Sequence, residues 1–283
     1  MPAPTAPATT DVAGDATEDV ATLLRDGIVG ARGALPVALV DGLRDDVEAA
    51  FADARSRPGG TIGRGPKRWY SELHPEALGG FAELAGHPWV QAISDAVLGP
   101  DWTIVEIGYD IPFEGAQNQP WHRDFRAPEA TVRDRRLTSL AFNVTLVDTE
   151  ADMGPFEIAL GTQYDDGADF DHEMFPPKEN APRYLERAVR KYPSRGDISA
   201  RSALTLHRGT ANHSTKSRPV LVLGIDGPEA DNAAHHDLAV TRDYYAALPE
   251  HVRRHLACPI VDELQPIVQK HDIEGLVMGE TED

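Results

Sequence analysis

The sequence predicts a mainly β fold, a barrel with helices packed outside it, and three observations carry that reading. Helical periodicity fills the chain to about residue 100, and alternation of period two takes over from Trp102. The longest alternating segment, residues 137–147, sets Leu140, Phe142, Val144 and Leu146 against Ser139, Ala141, Asn143 and Thr145. One apolar face and one small polar face suit a barrel strand whose outer side lies under helices while its inner side lines a pocket. With 283 residues, 41% of them hydrophobic, the chain has the material for one sizeable core.

The elements follow in order. Residues 1–17 are rich in Ala, Pro and Thr, with neither a basic start nor an apolar run, and read as a disordered tail rather than a secretory signal. Residues 18–283 are then expected to form a single domain, beginning with helical support over 18–100. Leu39, Val40, Leu43, Val47 and Phe51 recur at three- and four-residue spacing, so two helices are expected within 18–57. A Gly/Pro-rich basic stretch leads to Trp69 and Tyr70, and a second helical region over 76–98 is ended by Gly99-Pro100. The barrel core is expected over about 101–226, with strands at 102–111, 137–147, 156–160, 203–207 and 219–225. An insert at 161–196 contains Pro176-Pro177 and an expected helix over 182–192. A helical segment closes the chain over 240–283.

Composition excludes several functions. The 27 basic and 46 acidic residues give a net charge of -19, which works against a nucleic-acid partner. Cys258 is the sole cysteine, so neither an intrachain disulfide nor a thiolate metal cluster is available, and a reducing cytoplasm fits. No apolar run approaches the roughly 20 residues of a membrane helix, so no membrane partner is expected.

Chemistry enters with Gln119-Pro120-Trp121-His122-Arg123-Asp124-Phe125. In extended backbone His122 and Asp124 point to the same side and can share one ion, although such a pair is also a common solvated surface feature. Two His and one carboxylate on adjacent positions of a metal leave the others open, the arrangement of non-haem iron(II) oxygenases, so a third ligand is needed. A second element runs from Leu204 through His207 to Arg218. If the strands ending in His207 and opening at Arg218 pair, the guanidinium returns beside the imidazole, where it can clamp a carboxylate; otherwise Arg218 is a strand-end charge.

The run from His207 to Arg218, the upstream His122-Arg123-Asp124, the Asn143 strand, and Met153-Gly154-Pro155-Phe156-Glu157 ahead of Gly161-Thr162 resemble the phytanoyl-CoA dioxygenase family in the same order. So does Leu24-Arg25-Asp26-Gly27-Ile28-Val29 before the long helix. The resemblance implies a double-stranded β-helix, or jelly roll. It implies Fe(II) on His122, Asp124 and His207, the far carboxylate of 2-oxoglutarate on Arg218, and O2 as second cosubstrate. By the same resemblance Gln119 touches 2-oxoglutarate, and Asn143 is a further candidate contact; both amides can also be satisfied by backbone. Where the family has Gly-Ser-His this chain has Gly161-Thr162-Gln163, which bears on the substrate loop and not on the metal.

What the resemblance implies is hydrogen abstraction from a small-molecule substrate, most directly leading to hydroxylation. Halogenating relatives lack the carboxylate that Asp124 supplies here, while desaturation, cyclisation and epimerisation start from the same abstraction. A specialised-metabolism or amino-acid substrate is expected. Two other classes are a non-catalytic jelly-roll binding protein and an isomerase or hydrolase using another metal. Neither needs Arg218. His213, six residues past His207, reads as a loop residue. The insert at 161–196 and the stretch 64–70 are expected to form a lid, in which Lys178, Arg183, Arg187, Arg190, Lys191 and Arg195 attract an anion or, alternatively, include the solvated face of a helix.

Overall fold

The computed structural model describes residues 9–11, 16–170 and 174–269, and its alternating segments form two sheets with a cavity between them. Strand β1 (Thr9–Asp11) and helix α1 (Ala16–Asp26) lead to β2 (Ile28–Arg32), α2 (Val37–Arg55), β3 (Ile62–Gly63) and β4 (Arg68–Glu72). Helices α3 (Phe81–Ala85) and α4 (Pro88–Leu98) precede β5 (Thr103–Pro112), a short α5 (Glu129–Asp134), β6 (Ser139–Thr145) and β7 (Phe156–Ala159). Then come α6 (Ala181–Leu185), β8 (Ala188–Lys191), β9 (Ile198–Ser202), β10 (His207–Gly209) and β11 (Val220–Asp226). The chain continues through β12 (Val240–Thr241), α7 (Arg242–Ala247), α8 (Glu250–Arg253) and β13 (Ile260–Val261).

The large sheet has eight strands in the order β1-β2-β9-β6-β11-β5-β4-β3, the small one is β10-β7-β8, and β12 pairs with β13. This is the jelly-roll arrangement with flanking helices. Register explains why one face of the large sheet is dry and the other chemical. Ile107, Tyr109 and Ile111 of β5, Leu140, Phe142 and Val144 of β6 and Leu221, Leu223 and Ile225 of β11 all enter the main core. There they meet Val40, Leu43 and Val47 of α2 and Trp89, Val90 and Ile93 of α4. The three- and four-residue spacing puts those helix positions on one face, and each such side chain contributes about 1.5–3 kcal/mol when fully buried. Trp89 crosses Phe142 edge to face at 5.9 Å, and its indole N–H donates to the buried Asp19 at 2.8 Å.

On the opposite face the pairings form continuous rows. Gly30, Ser199, Asn143, Val222, Gly108 and Glu72 stand opposite one another across six strands. Beside them run Ile28, Arg201, Ala141, Gly224 and Glu106. Small residues in mid-row leave the space that the polar side chains enter. At Gly108 the requirement is direct, since a Cβ there would lie 2.4 Å from the Tyr70 hydroxyl.

Several elements differ from their expected form. The front segment is not only helical support: β2, β3 and β4 join the large sheet, and β1 and the start of α1 fall within the expected tail. Residues 1–8 and 12–15 lie outside the described residues. The strand expected at 203–207 resolves into β9 and β10, with a turn at 203–206 that carries the chain from the large sheet to the small one. The helix expected over 182–192 stops at Leu185, because Ala188–Lys191 finds an edge on β7, where Glu157 faces Arg190 across the strands. The closing segment forms only α7 and α8 as helices, and residues 270–283 lie outside the described residues. Among the described residues no helix is long and apolar enough to cross a membrane.

Candidate metal centre

Three expected ligands meet where the two sheets come together. His122 and His207 form an antiparallel bridge, exchanging backbone hydrogen bonds of 3.1 and 2.9 Å. The Asp124 N–H donates to the Ala203 carbonyl at 2.9 Å, so both ends of the His-x-Asp segment are tied to the 203–207 stretch. One ligand atom from each of His122, Asp124 and His207 lies within 4.8 Å of the others.

Each group presents the atom a metal would take. Nδ1 of His122 donates to the Pro120 carbonyl and Nδ1 of His207 to the Thr205 carbonyl, both at 2.9 Å, which fixes the tautomer and leaves Nε2 as the lone-pair donor. Desolvation, and after it the neighbouring His207, lowers the His122 imidazole to about 3, so it stands neutral. For Asp124 burial alone would raise the pKa, but the charges of Arg201 and His207 hold it well below the usual carboxylate range. Its Oδ2 accepts from Arg201 Nη1 at 2.5 Å, while Oδ1 faces His207 Nε2 at 3.4 Å. A neutral His122 imidazole, a second imidazole with Nδ1 held by a backbone carbonyl, and an ionised carboxylate paired on one oxygen fit the donor set of a divalent iron site.

The centre opens on a cavity of about 630 Å³. Phe175 stacks beside His122 at 5.7 Å, and Phe156 lies 5.2 Å from His207, giving the imidazoles apolar flanks. Arg218 lines the cavity and is buried, with Nε donating to the Gly154 carbonyl at 2.9 Å and no acid paired with it among the described residues. Burial, and then the charge of Arg68, brings its guanidinium down to about 10. It does not pair with His207 along neighbouring strands, as the sequence suggested; His207 sits in the small sheet and Arg218 leads into β11 of the large one, so they share the cavity but not a ladder. Arg68, fully buried, donates to Asp110 at 2.7 Å and to the Thr210 carbonyl at 3.1 Å, lying so close to Gly209 that a Cβ there would be 2.2 Å from its Nη1.

Asn143 lines the same cavity, and its buried Oδ1 has no hydrogen-bond partner. The unpaired buried guanidinium fits a dicarboxylate cosubstrate, towards which Asn143 can donate only through its amide nitrogen, its orphaned oxygen being an acceptor. Gln119 also lines the cavity, with its carbonyl oxygen accepting from the Gly209 N–H at 2.8 Å, so only its amide nitrogen is left for a ligand. His213 is exposed on a loop, away from the three ligands.

Sequence reasoning missed Arg201, because β9 is too short to signal itself beyond the alternation of Ile198 and Ala200. It also missed the polar wall formed by Tyr70, Glu106, Glu72 and His236. The Tyr70 hydroxyl donates to Glu106, and burial followed by the Glu106 charge holds the phenol well above its ordinary range. His236 Nδ1 meets Glu72 at 2.5 Å; burial pulls the imidazole down, but its hydrogen bond to Glu72 and the nearby acids raise it overall. The lid expectation divides. Arg64, Arg68, Tyr70, Met174, Phe175, Arg190, Lys191 and Tyr192 line the cavity. Trp69 instead packs outside it against Phe51 and Phe113, with Arg55 over its ring at 4.9 Å.

The family profile of phytanoyl-CoA dioxygenase matches residues 23–220. Among solved structures, the chain superposes on the non-haem α-ketoglutarate-dependent carbocyclase SnoK from nogalamycin biosynthesis with a TM-score of 0.60 and 17% identity, over 78% of this chain and 87% of that one. AviO1 from Streptomyces viridochromogenes Tue57 gives 0.60 and 16%, over 77% and 97%. The non-haem α-ketoglutarate-dependent epimerase SnoN from nogalamycin biosynthesis gives 0.56 and 19%, over 75% and 80%. At these identities the likeness is one of fold. Among curated protein sequences none matches the chain.

Proposed function

The chain belongs to the phytanoyl-CoA dioxygenase family, iron(II)- and 2-oxoglutarate-dependent oxygenases, and from that premise we propose the roles its residues play. His122 and His207 through Nε2 and Asp124 through Oδ1 hold the iron, and Arg218 pairs with the far carboxylate of 2-oxoglutarate. Asn143 supplies a hydrogen bond to the same cosubstrate, with the Gln119 amide nitrogen as a further donor. When bound, iron and 2-oxoglutarate together activate O2 for oxidative removal of hydrogen from the substrate.

The protein's own contribution is positioning. Arg201 occupies Oδ2 of Asp124, which would leave that carboxylate a single oxygen, Oδ1, for a metal. Phe156 and Phe175 keep water from the imidazoles. The Arg68–Asp110 pair backs Arg218 without neutralising it, so the Arg218 charge stays available for the cosubstrate.

The substrate we propose is a small molecule of specialised or amino-acid metabolism, acted on in the cytoplasm by a single catalytic domain, with hydroxylation as the outcome. The structurally similar carbocyclase SnoK and epimerase SnoN of nogalamycin biosynthesis support this class and equally the outcomes of ring closure and epimerisation, which begin with the same hydrogen abstraction. The observation that carries the reading is the trio of ligand atoms within 4.8 Å, with Nδ1 of both imidazoles held by backbone carbonyls. The test is succinate formation from 2-oxoglutarate with matching O2 consumption across a substrate panel. Succinate that requires Fe(II) is expected. A protein that binds iron yet consumes neither O2 nor 2-oxoglutarate with any substrate would return the fold to a binding role.

A further inference from the structure

The sequence concentrates positive charge between Lys178 and Arg195, and the structure shows where most of it goes. Arg183 and Arg187 both reach Asp165, at 3.3 and 2.9 Å. Arg190 pairs with Glu157 at 2.9 Å, and Arg195 with Asp41 at 2.6 Å. Lys178 is exposed and does not line the cavity. Lys191 is different: it is half-buried and lines the cavity, with no hydrogen bond or ion pair from its ammonium among the described residues.

Its neighbour in charge comes from the other sheet. Arg32, at the end of β2, lines the same cavity and also makes no ion pair among the described residues. Burial, and then the charge of Arg32, pulls the Lys191 ammonium down to about 8, against Asp26, which raises it. Asp26 is itself held by Arg25 through both carboxylate oxygens, at 2.9 and 2.7 Å. Arg32 is exposed at the cavity rim. The one acid lining this part of the cavity, Asp197, accepts from the Gly33 and Ser194 N–H groups at 2.8 and 2.9 Å and makes no ion pair with either cation among the described residues. Beside Ile28, Ile198 and Phe156 the two cations therefore leave positive charge that a bound anion would cancel.

We propose that Lys191 and Arg32 form an anion subsite, and that the substrate carries a carboxylate or phosphate at the end remote from the carbon that is oxidised. This rests on the metal-centre reading above. Register sets the scale. Lys191 stands opposite Phe156, and Phe156 opposite Gly209, two residues along β10 from His207. Two interstrand spacings combined with two residues along the strand set Lys191 and His207 about 12 Å apart along the sheet, so the acidic group and the reacting carbon are separated by a span of that order. The alkyl or ring portion between them lies over Phe156.

The test uses the full chain loaded with Fe(II) and saturating 2-oxoglutarate without oxygen, titrated calorimetrically with octanoate, octyl phosphate, octanamide and octylamine. The two anions are expected to bind about tenfold or more tighter than the amide, the effect of one charge-assisted hydrogen bond. Lys191→Met should remove that preference, Arg32→Met should weaken it, and Lys191→Arg should keep it. The 2-oxoglutarate titration of Lys191→Met should match the parent protein. Equal binding of octanoate and octanamide, tighter binding of octylamine, an unchanged preference in Lys191→Met, or displacement of octanoate by 2-oxoglutarate would each overturn the subsite. Loss of 2-oxoglutarate affinity in Lys191→Met would also overturn it, by moving Lys191 into the cosubstrate site. A parent protein that fails to bind 2-oxoglutarate would instead overturn the metal-centre reading, so the two failures are distinct.

Discussion

The two walls of the cavity are built differently. The large sheet is backed by α1 to α4 and shares one extensive buried cluster with them, so Asn143, Arg201 and the strand entered from Arg218 stand on a rigid base. Among the described residues the small sheet is backed by a smaller cluster, the buried Trp121, Ala159, Phe170, Tyr184 and Leu206 with Ala181 and Ala188 packed on it, yet it carries His207, Phe156 and Lys191. Of the groups assigned to the cosubstrate, Arg218 and Asn143 thus lie on the thick wall and Gln119 is tied to Gly209 of the thin one; of those assigned to the substrate end, Lys191 and Phe156 lie on the thin wall and Arg32 on the thick one. A densely packed wall holds an unchanging ligand in one geometry, whereas a thin wall can be repacked for a new substrate without disturbing the rest.

The first way to break this comparison is at the seam between the walls. His207→Ala and Asp124→Ala are each expected to abolish iron binding and turnover in a chain that still folds, with Asp124→Ala the more destabilising because it leaves the buried Arg201 guanidinium without its carboxylate. Iron content after reconstitution, read beside the unfolding curve, checks this; a variant that keeps full iron would remove that residue from the ligand set. Next in size comes a matched pair of core truncations. Leu223 in the thick wall and Leu206 in the thin one are each 1% exposed. Leucine-to-alanine changes at such sites cost about 2–5 kcal/mol, least where the surroundings can collapse into the void. Leu223→Ala should lie near the upper end and Leu206→Ala near the lower, but Leu206→Ala, beside a ligand, should weaken iron binding more. Denaturant unfolding and an iron titration on both variants decide it. Equal losses of stability would mean that the walls are equally rigid.

Arg218→Ala is a smaller and more local change. Removing one partner of a charge-assisted pair costs about 1.5–3 kcal/mol. The 2-oxoglutarate concentration needed for half-maximal succinate formation should therefore rise roughly 10- to 100-fold, with iron binding retained. An unchanged titration would move the cosubstrate elsewhere in the cavity.

Legibility in the sequence follows the same division. The thick wall was readable because its strands alternate over seven to ten residues, enough for Ile107, Tyr109 and Ile111 or Leu140, Phe142 and Val144 to declare a face. The three residues proposed to hold the metal were legible because His122 and Asp124 share a strand-spaced triplet and the family resemblance added His207 at the end of an apolar segment before a turn. The thin wall was not. Its strands span three or four residues, too few for a period, and Ala188–Lys191 reads as the continuation of a helix until β7 offers it an edge. Arg201 escaped for a similar reason: its role depends on β9 lying beside β6, a long-range pairing that no local pattern encodes. The basic run over 178–195 was visible as charge, but which cations are paired depends on Asp165, Glu157 and Asp41, residues brought there only by the fold.

That last point gives the smallest expected effect and the sharpest control. Arg183 belongs to the basic run, but its guanidinium reaches Asp165 at 3.3 Å with more than half of its side chain exposed, and it does not line the cavity. An exposed pair of this kind contributes about 0–1 kcal/mol, and Arg187 remains on the same carboxylate at 2.9 Å when Arg183 is removed. Arg183→Gln is therefore expected to change unfolding free energy by less than about 0.5 kcal/mol. Octanoate affinity should stay within about twofold of the parent, since a charge already paired and remote from the ligand is screened by solvent. The same calorimetric titration used for Lys191→Met reads this directly. If Arg183→Gln weakened octanoate as much as Lys191→Met does, the thin wall would attract anions through its summed field, and the two-residue subsite would lose its meaning. A loss confined to Lys191 and Arg32 would make position, and not charge count, the basis of recognition on this wall.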